Sequence, residues 1–136
     1  MRISKKVMLL TVCFCALLSA VVIYAAPRAS SGWNVYDDYR TVYANVGVTY
    51  VSDTAQGKGW VSYTARVLGE DADKVISDNA AQIKITGQDG KVYCNKKFWY
   101  GNNVSSSFRI GKEKNSYVSV YVLIEGNSNT KNIALD

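Results

Sequence analysis

The chain has no histidine, a single proline and only three cysteines among its 136 residues. Without histidine, Ser-His-Asp catalysis, Cys-His catalysis and metal sites that depend on imidazole ligands are excluded. Cys13 and Cys15 lie in an apolar run near the N-terminus, which leaves Cys94 as the one thiol beyond that run. One thiol cannot close an internal disulfide, so we expect Cys94 to be a buried small side chain; an intermolecular disulfide or a reactive thiol is the alternative.

The first 26 residues are predicted to be a leader and not part of the folded domain. Three basic residues among the first six precede an uncharged, mostly apolar run over residues 7–26, a pattern typical of a secretory signal peptide. The run is also long enough to remain as an uncleaved, helical membrane anchor. In both cases we expect the rest of the chain to be secreted or held on the outer side of the membrane. Residues 27–32 are interpreted as a spacer and residues 33–136 as one domain.

Charge and motifs exclude several classes of function. Three of the sixteen basic residues and none of the eleven acidic ones lie in the leader, so the formal charge falls from +5 to +2 beyond it. The remaining basic residues are spread among acidic ones, which argues against a nucleic-acid partner. No phosphate-binding glycine loop, paired-cysteine motif or nucleophile elbow occurs, and the acidic stretch Glu70-Asp71-Ala72-Asp73 lacks the spacing of a calcium loop. We expect no catalytic residue, metal or cofactor.

Beyond the leader the sequence is rich in valine, tyrosine, threonine and serine and contains only three leucines. Such residues favour strands, and several segments alternate apolar with polar residues, which is typical of a strand with one face on a core. The segments are 41–51, 59–68, 82–86, 91–98, 106–110 and 116–125, with weaker candidates at 33–39 and 132–135. Six to eight short strands predict an all-β domain, a single antiparallel β-sandwich of immunoglobulin-like or Greek-key topology.

Two connections between these segments carry specific expectations. Asp89-Gly90 separates two alternating segments, and this pair predicts a hairpin in which both residues have positive φ. The segment 71–81 is either a helical turn or a long crossing between two sheets, as Greek-key topology needs.

The most unusual cluster of side chains begins at the end of the segment 91–98 and continues beyond it. Its members, taken as candidate binding residues, are Lys97, Phe98, Trp99, Tyr100, Asn102 and Asn103. Three consecutive aromatics cannot share one strand face, so if Phe98 and Tyr100 point one way, we expect Trp99 to be exposed on the other. Exposed aromatics beside amides and lysine suit a cell-envelope polysaccharide, a protein partner or a membrane interface. The alternative is that the aromatics only close the end of the core.

Two resemblances bear on function. The strand layout resembles the small immunoglobulin-like sandwiches of bacterial surface proteins, although the Cys-Trp-Cys core of immunoglobulin domains is missing. The size, the leader and the glycine, tyrosine and tryptophan content resemble secreted bacteriocins of the lactococcin 972 type. The sequence therefore predicts an exported, non-catalytic binding module of a bacterial-type secreted or surface protein. The alternative is a secreted toxin that acts on the cell envelope.

Overall fold

The computed structural model describes residues 28–53, 58–111 and 113–135. The strands in these ranges are β1 (Arg28–Tyr36), β2 (Tyr43–Asp53), β3 (Lys58–Leu68), β4 (Ala81–Gly87), β5 (Val92–Phe98), β6 (Val104–Gly111), β7 (Tyr117–Ile124) and β8 (Asn127–Ala134). The predicted all-β class is confirmed, because the helical structure in these ranges is limited to two short 3₁₀ turns. No helix of the described part could cross a membrane. The predicted leader helix lies outside the described residues.

The strands form two four-stranded sheets in which all neighbours are antiparallel. Sheet I has the order β1-β2-β3-β6 and sheet II the order β5-β4-β7-β8. The chain crosses from sheet I to sheet II after β3 and again after β6, and it returns after β5. Because β1, β2 and β3 are consecutive neighbours, this order differs from that of immunoglobulin domains, in which the third strand already lies in the second sheet.

Alternation along the strands produces the core. Buried and exposed residues alternate through β3, and β4 and β7 show the same pattern with partly buried residues on their outer face. The buried side chains of both sheets belong to one hydrophobic cluster, whose largest members include Tyr50, Phe98, Ile83 and Ile85. Burial of each such side chain stabilises the fold by roughly 1.5–3 kcal/mol. The inward faces of the three long predicted segments are confirmed.

The first edge strand, β1, begins earlier and ends earlier than the sequence predicts. It starts at Arg28, so most of the predicted spacer is paired with β2. It ends at Tyr36 because Asp37 starts a turn, in which the Asp37 carboxylate accepts hydrogen bonds from the backbone N–H groups of Thr41 (2.9 Å) and Val42 (3.2 Å). Pairing with a neighbour, rather than alternation, makes the start of this segment a strand.

The other weak candidate, β8, is also longer than predicted. It spans Asn127–Ala134 rather than 132–135. Ile133 is its one fully buried residue, and most of its other side chains are exposed. The apolar pattern that identifies a strand is therefore present only at its end, while hydrogen bonds to β7 extend over the whole segment.

The turns confirm one expectation and correct another. β4 and β5 form the predicted hairpin, closed by the bonds Gly90 N–H to Gly87 O (3.0 Å) and Gly87 N–H to Lys91 O (2.9 Å). Only Gly90 has positive φ (87°), so the expectation for Asp89 is wrong. The loop is longer than a two-residue turn, and a left-handed glycine at its end completes it. The segment 71–81 is a connection between sheets that contains both 3₁₀ turns.

Candidate functional site

The structure distributes the six candidate residues of the aromatic cluster over several environments. Phe98 is fully buried in the core, and Trp99 is half-buried against it. Tyr100 is 55% exposed. Lys97 is exposed on the outer face of sheet II, where it pairs with Gln82. The candidates Asn102 and Asn103 are exposed in the connection to β6.

A tight turn from Trp99 to Asn102 follows Phe98, the last residue of β5. The backbone N–H of Asn102 donates to Trp99 O (2.9 Å), and Trp99 N–H donates to Asn102 O (3.3 Å). Gly101 occupies the turn with φ of 78°, which a side chain would disfavour. Strand alternation therefore ends at Phe98, and Phe98 and Tyr100 do not lie in one strand. The most exposed of the three aromatics is Tyr100, not Trp99.

A larger polar surface lies on the outer face of sheet I. Six serine and threonine residues that pair across neighbouring strands lie on this surface, which we call the hydroxyl face. Its members are Ser30, Thr49, Ser62 and Ser107 in one cross-strand row and Thr64 and Ser105 in the next. The hydroxyls of Ser30 and Thr49 lie 3.4 Å apart. Each hydroxyl can donate and accept a hydrogen bond, so the face presents a dense array of both functions.

A trough lies over Gly47 in the hydroxyl face. Gly32 and Gly47 pair directly with each other, and Gly47 pairs with Thr64 on its other side. A Cβ atom at Gly47 would lie 3.1 Å from the Thr64 hydroxyl oxygen. Without these side chains the surface holds a shallow concavity of about 380 Å³ over the Ser and Thr residues. Glycine inside a strand often marks a place where a ligand approaches the backbone.

One end of the trough is bounded by a row of hydrogen-bonded polar side chains. The Asn45 amide donates to Asn34 Oδ1 (2.8 Å), and the Nε of Arg66 donates to Asn45 Oδ1 (3.2 Å). The row crosses three strands in register. A concavity of about 320 Å³ lies beside it and is also lined by Asn103, the candidate residue that the structure brings to this face.

An exposed tryptophan lies in the cross-strand row beyond the other end. Trp60 is 45% exposed on the outer face of β3, where it pairs with Arg109 of β6. The Arg109 guanidinium carbon lies 5.4 Å from the centroid of the Trp60 ring, within cation–π range. Alternation in the segment 59–68 already places Trp60 opposite the buried Val61. The sequence thus carried the signal for an exposed Trp60, but only the register brings the row of hydroxyls beside it.

Two titratable side chains, Tyr63 and Cys94, lie beneath the hydroxyl face. Burial, together with the neighbouring Cys94 thiol, raises the pKa of Tyr63 to about 12. Burial also raises the pKa of the Cys94 thiol, which is buried as expected from the sequence. Both shifts favour the protonated form of the side chain at neutral pH. Among the residues that the structure describes, no group of three acidic or cysteine side chains is placed to hold a metal ion.

The hydroxyl face and its two ends can therefore hold a polar ligand by hydrogen bonds and ring contact. Comparison of the chain with known protein families, curated proteins and solved structures finds no match.

Proposed function

We propose that this protein is an exported, non-catalytic binding module that holds a cell-envelope polysaccharide on the outer face of sheet I. The observation that carries the proposal is the trough between Trp60 and Arg66, lined by hydroxyls in register. A sugar ring presents apolar C–H groups on its faces and hydroxyls at its edge. An exposed indole suits the former, and serine, threonine and asparagine side chains suit the latter.

We propose further that the two sheets form a Greek-key β-sandwich. One hydrophobic cluster with members from both sheets supports face-to-face packing. The connections after β3 and after β6 both lead to sheet II. The strands that they leave, β3 and β6, are neighbours in sheet I, and the strands that they enter, β4 and β7, are neighbours in sheet II. Such returning connections are typical of Greek-key folds. A rigid sheet then holds the ligand-contacting side chains in fixed positions.

Replacement of Trp60 by alanine tests the site. We expect Trp60→Ala to weaken binding about tenfold or more, because truncation of an anchoring aromatic at a contact surface usually costs over 1 kcal/mol. Binding is measured by affinity electrophoresis and calorimetry of residues 27–136 against soluble polysaccharides: hydroxyethyl cellulose, xylan, polygalacturonate and purified teichoic acid. Far-UV circular dichroism and thermal unfolding check that the variant is folded.

The matched control is Tyr100→Ala, which removes an exposed aromatic from outside the hydroxyl face. We expect this variant to bind as the unchanged protein does. Loss of binding in Tyr100→Ala with full binding in Trp60→Ala would move the site to the turn after β5. Absence of binding to every polymer in the panel would overturn the proposed function.

A further inference from the structure

In the described part of the chain the acidic residues lie almost entirely outside the strands. Apart from Asp53, the last residue of β2, every aspartate and glutamate in the described part of the chain lies in a turn or connection. The four cross-strand rows of the outer face of sheet I, from Trp60 to Arg66, contain no acidic residue. Arg66 and Arg109 are exposed in those rows. The binding face is therefore cationic, although the domain as a whole is close to neutral.

Arg66 is held in a defined orientation. Its Nε donates to Asn45 Oδ1 (3.2 Å), and Asn45 is in turn fixed by Asn34. This bond uses one of the five N–H donors of the guanidinium group. Within the described ranges no carboxylate lies in ion-pair contact with Arg66. A guanidinium group that is already oriented loses less entropy when it binds a carboxylate or phosphate oxygen.

The two arginines lie at opposite ends of the trough. Arg109 pairs with Trp60, and Arg66 lies six residues further along β3. Six residues of a strand span about 20 Å. A single sugar unit is too short to contact both ends, whereas an extended chain that runs along the strands over Gly47 can do so.

We propose, on the basis of the polysaccharide site, that the ligand is an acidic polysaccharide whose carboxylate or phosphate groups bind Arg66. The hydroxyls and Trp60 contact the sugar units, and the guanidinium group selects for anionic repeats. The protein therefore binds acidic polymers more tightly than neutral polymers that the same hydroxyls could contact.

The experiment compares one polymer with and without its charge. Polygalacturonate and its methyl ester share a backbone, and only the former carries carboxylates. We expect the unchanged protein to bind the acid form at least tenfold more tightly, with an affinity that falls as salt is added. Arg66→Gln should lower the affinity for the acid form about tenfold and that for the ester by a much smaller factor. Teichoic acid supplies the phosphate form in a parallel titration.

Two variants control for net charge and geometry. Lys97→Gln removes one positive charge from the outer face of sheet II and should bind both polymers as the unchanged protein does. Arg66→Lys keeps the charge but loses the planar group that contacts Asn45, and it should fall between the arginine and glutamine forms. Thermal unfolding of each variant confirms that it is folded.

The outcomes separate this inference from the proposed function. If Trp60→Ala weakens binding of both polymers while Arg66→Gln weakens neither, the polysaccharide site stands and the acidic ligand is refuted. Equal affinity of the unchanged protein for the acid and the ester refutes it too. Binding of single-stranded DNA as tight as that of polygalacturonate would show a general affinity for polyanions and would also overturn the proposal.

Discussion

At the scale of single residues, burial decides whether an aromatic side chain packs in the core or contacts solvent, and hydrogen bonds decide how an acidic side chain contributes to stability. Phe98 is fully buried and stabilises the core, whereas Trp60 is 45% exposed and free to contact a ligand. The acidic residues show the same dependence on surroundings. Asp89 accepts a hydrogen bond from Lys91 N–H (3.1 Å) and lies beside the buried amide of Asn115 (3.4 Å). The bond from the Asn115 amide joins the β4–β5 turn to the connection before β7.

The surroundings of Asp89 predict a contribution to stability that depends on pH. The hydrogen bond from Lys91 N–H, with help from the Asn115 amide and against some desolvation, holds the pKa of Asp89 below its ordinary value of 3.8. The contribution is therefore fully present above about pH 3.8 and is lost as the pH falls through the lowered pKa. We expect Asp89→Asn to lower the melting temperature at pH 7 and to make little difference at pH 2.

The control for this prediction is Asp73→Asn, which changes an exposed carboxylate in the connection between β3 and β4. Melting temperatures of the three proteins are measured by circular dichroism from pH 2 to pH 7. A difference between Asp89→Asn and the unchanged protein that stays constant over this range would contradict the linkage. It would mean that shape, and not charge, accounts for the role of Asp89.

At the scale of strands, the sequence of β2 serves two purposes on its two faces. Val46 and Val48 are buried on the inner face, while Gly47 between them opens the trough on the outer face. Glycine weakens a strand, because it adds no packing and loses more conformational freedom on folding than other residues. Its presence in the middle of an 11-residue strand is therefore better explained by the space it leaves than by stability.

Replacement of Gly47 by valine separates stability from binding. The φ of Gly47 is not positive, so the backbone accepts a side chain, and a Cβ atom there requires the Thr64 hydroxyl to move by a few tenths of an ångström. We expect Gly47→Val to keep or raise stability, by up to about 1 kcal/mol. Because valine fills the trough, binding to the polysaccharide panel should fall at least tenfold in calorimetry.

The matched control places the same side chain on the other sheet. Thr86 lies on the outer face of β4, and Thr86→Val should leave binding unchanged. If Gly47→Val is folded and binds as tightly as the unchanged protein, the ligand does not lie in the trough. If it unfolds, Gly47→Ala provides the smaller change for the same comparison.

At the scale of the whole molecule, the two sheets depend on one core. The hydrophobic cluster contains residues of β2 and β3 from sheet I and of β4, β5 and β7 from sheet II. Neither sheet can bury its inner face alone, so we expect the domain to unfold as one cooperative unit. The separation of acidic residues in the turns from arginines on the outer face of sheet I is also a property of the whole domain, because it involves several strands and connections.

Replacement of Phe98 by alanine tests this cooperativity. Removal of a fully buried phenylalanine should cost about 3–5 kcal/mol. Although Phe98 belongs to sheet II, amide hydrogens of β2 in sheet I should exchange faster by the same free energy as those of β7. Mass spectrometry of exchange into deuterated water measures both.

Tyr100→Ala is the control, because it removes an exposed aromatic two residues away and should change stability by less than about 0.5 kcal/mol. Faster exchange in β4 and β5 with unchanged exchange in β2 would show that the sheets unfold separately.

The sequence determined the strand content and the inner face of the sheets. Alternation in the long segments identifies Val46, Val61 and Val120 as buried, because side chains along a strand point to opposite faces. It failed to give the bounds of β1 and β8, whose polar residues are held by pairing with one neighbour and carry little alternation. It also failed after Phe98, since Gly101 ends the strand with a turn that alternation does not register.

Only the tertiary structure decided which outward residues lie together in the proposed site. Trp60, Thr64 and Arg66 are evident on one face of one strand from the sequence alone. Their neighbours Gly47 and Ser105 come from strands 17 and 41 residues away along the chain, and the sequence contains no local signal of that register. Pairing between distant strands depends on the packing of both sheets over a shared core. The proposed binding face therefore forms only when the whole domain has folded.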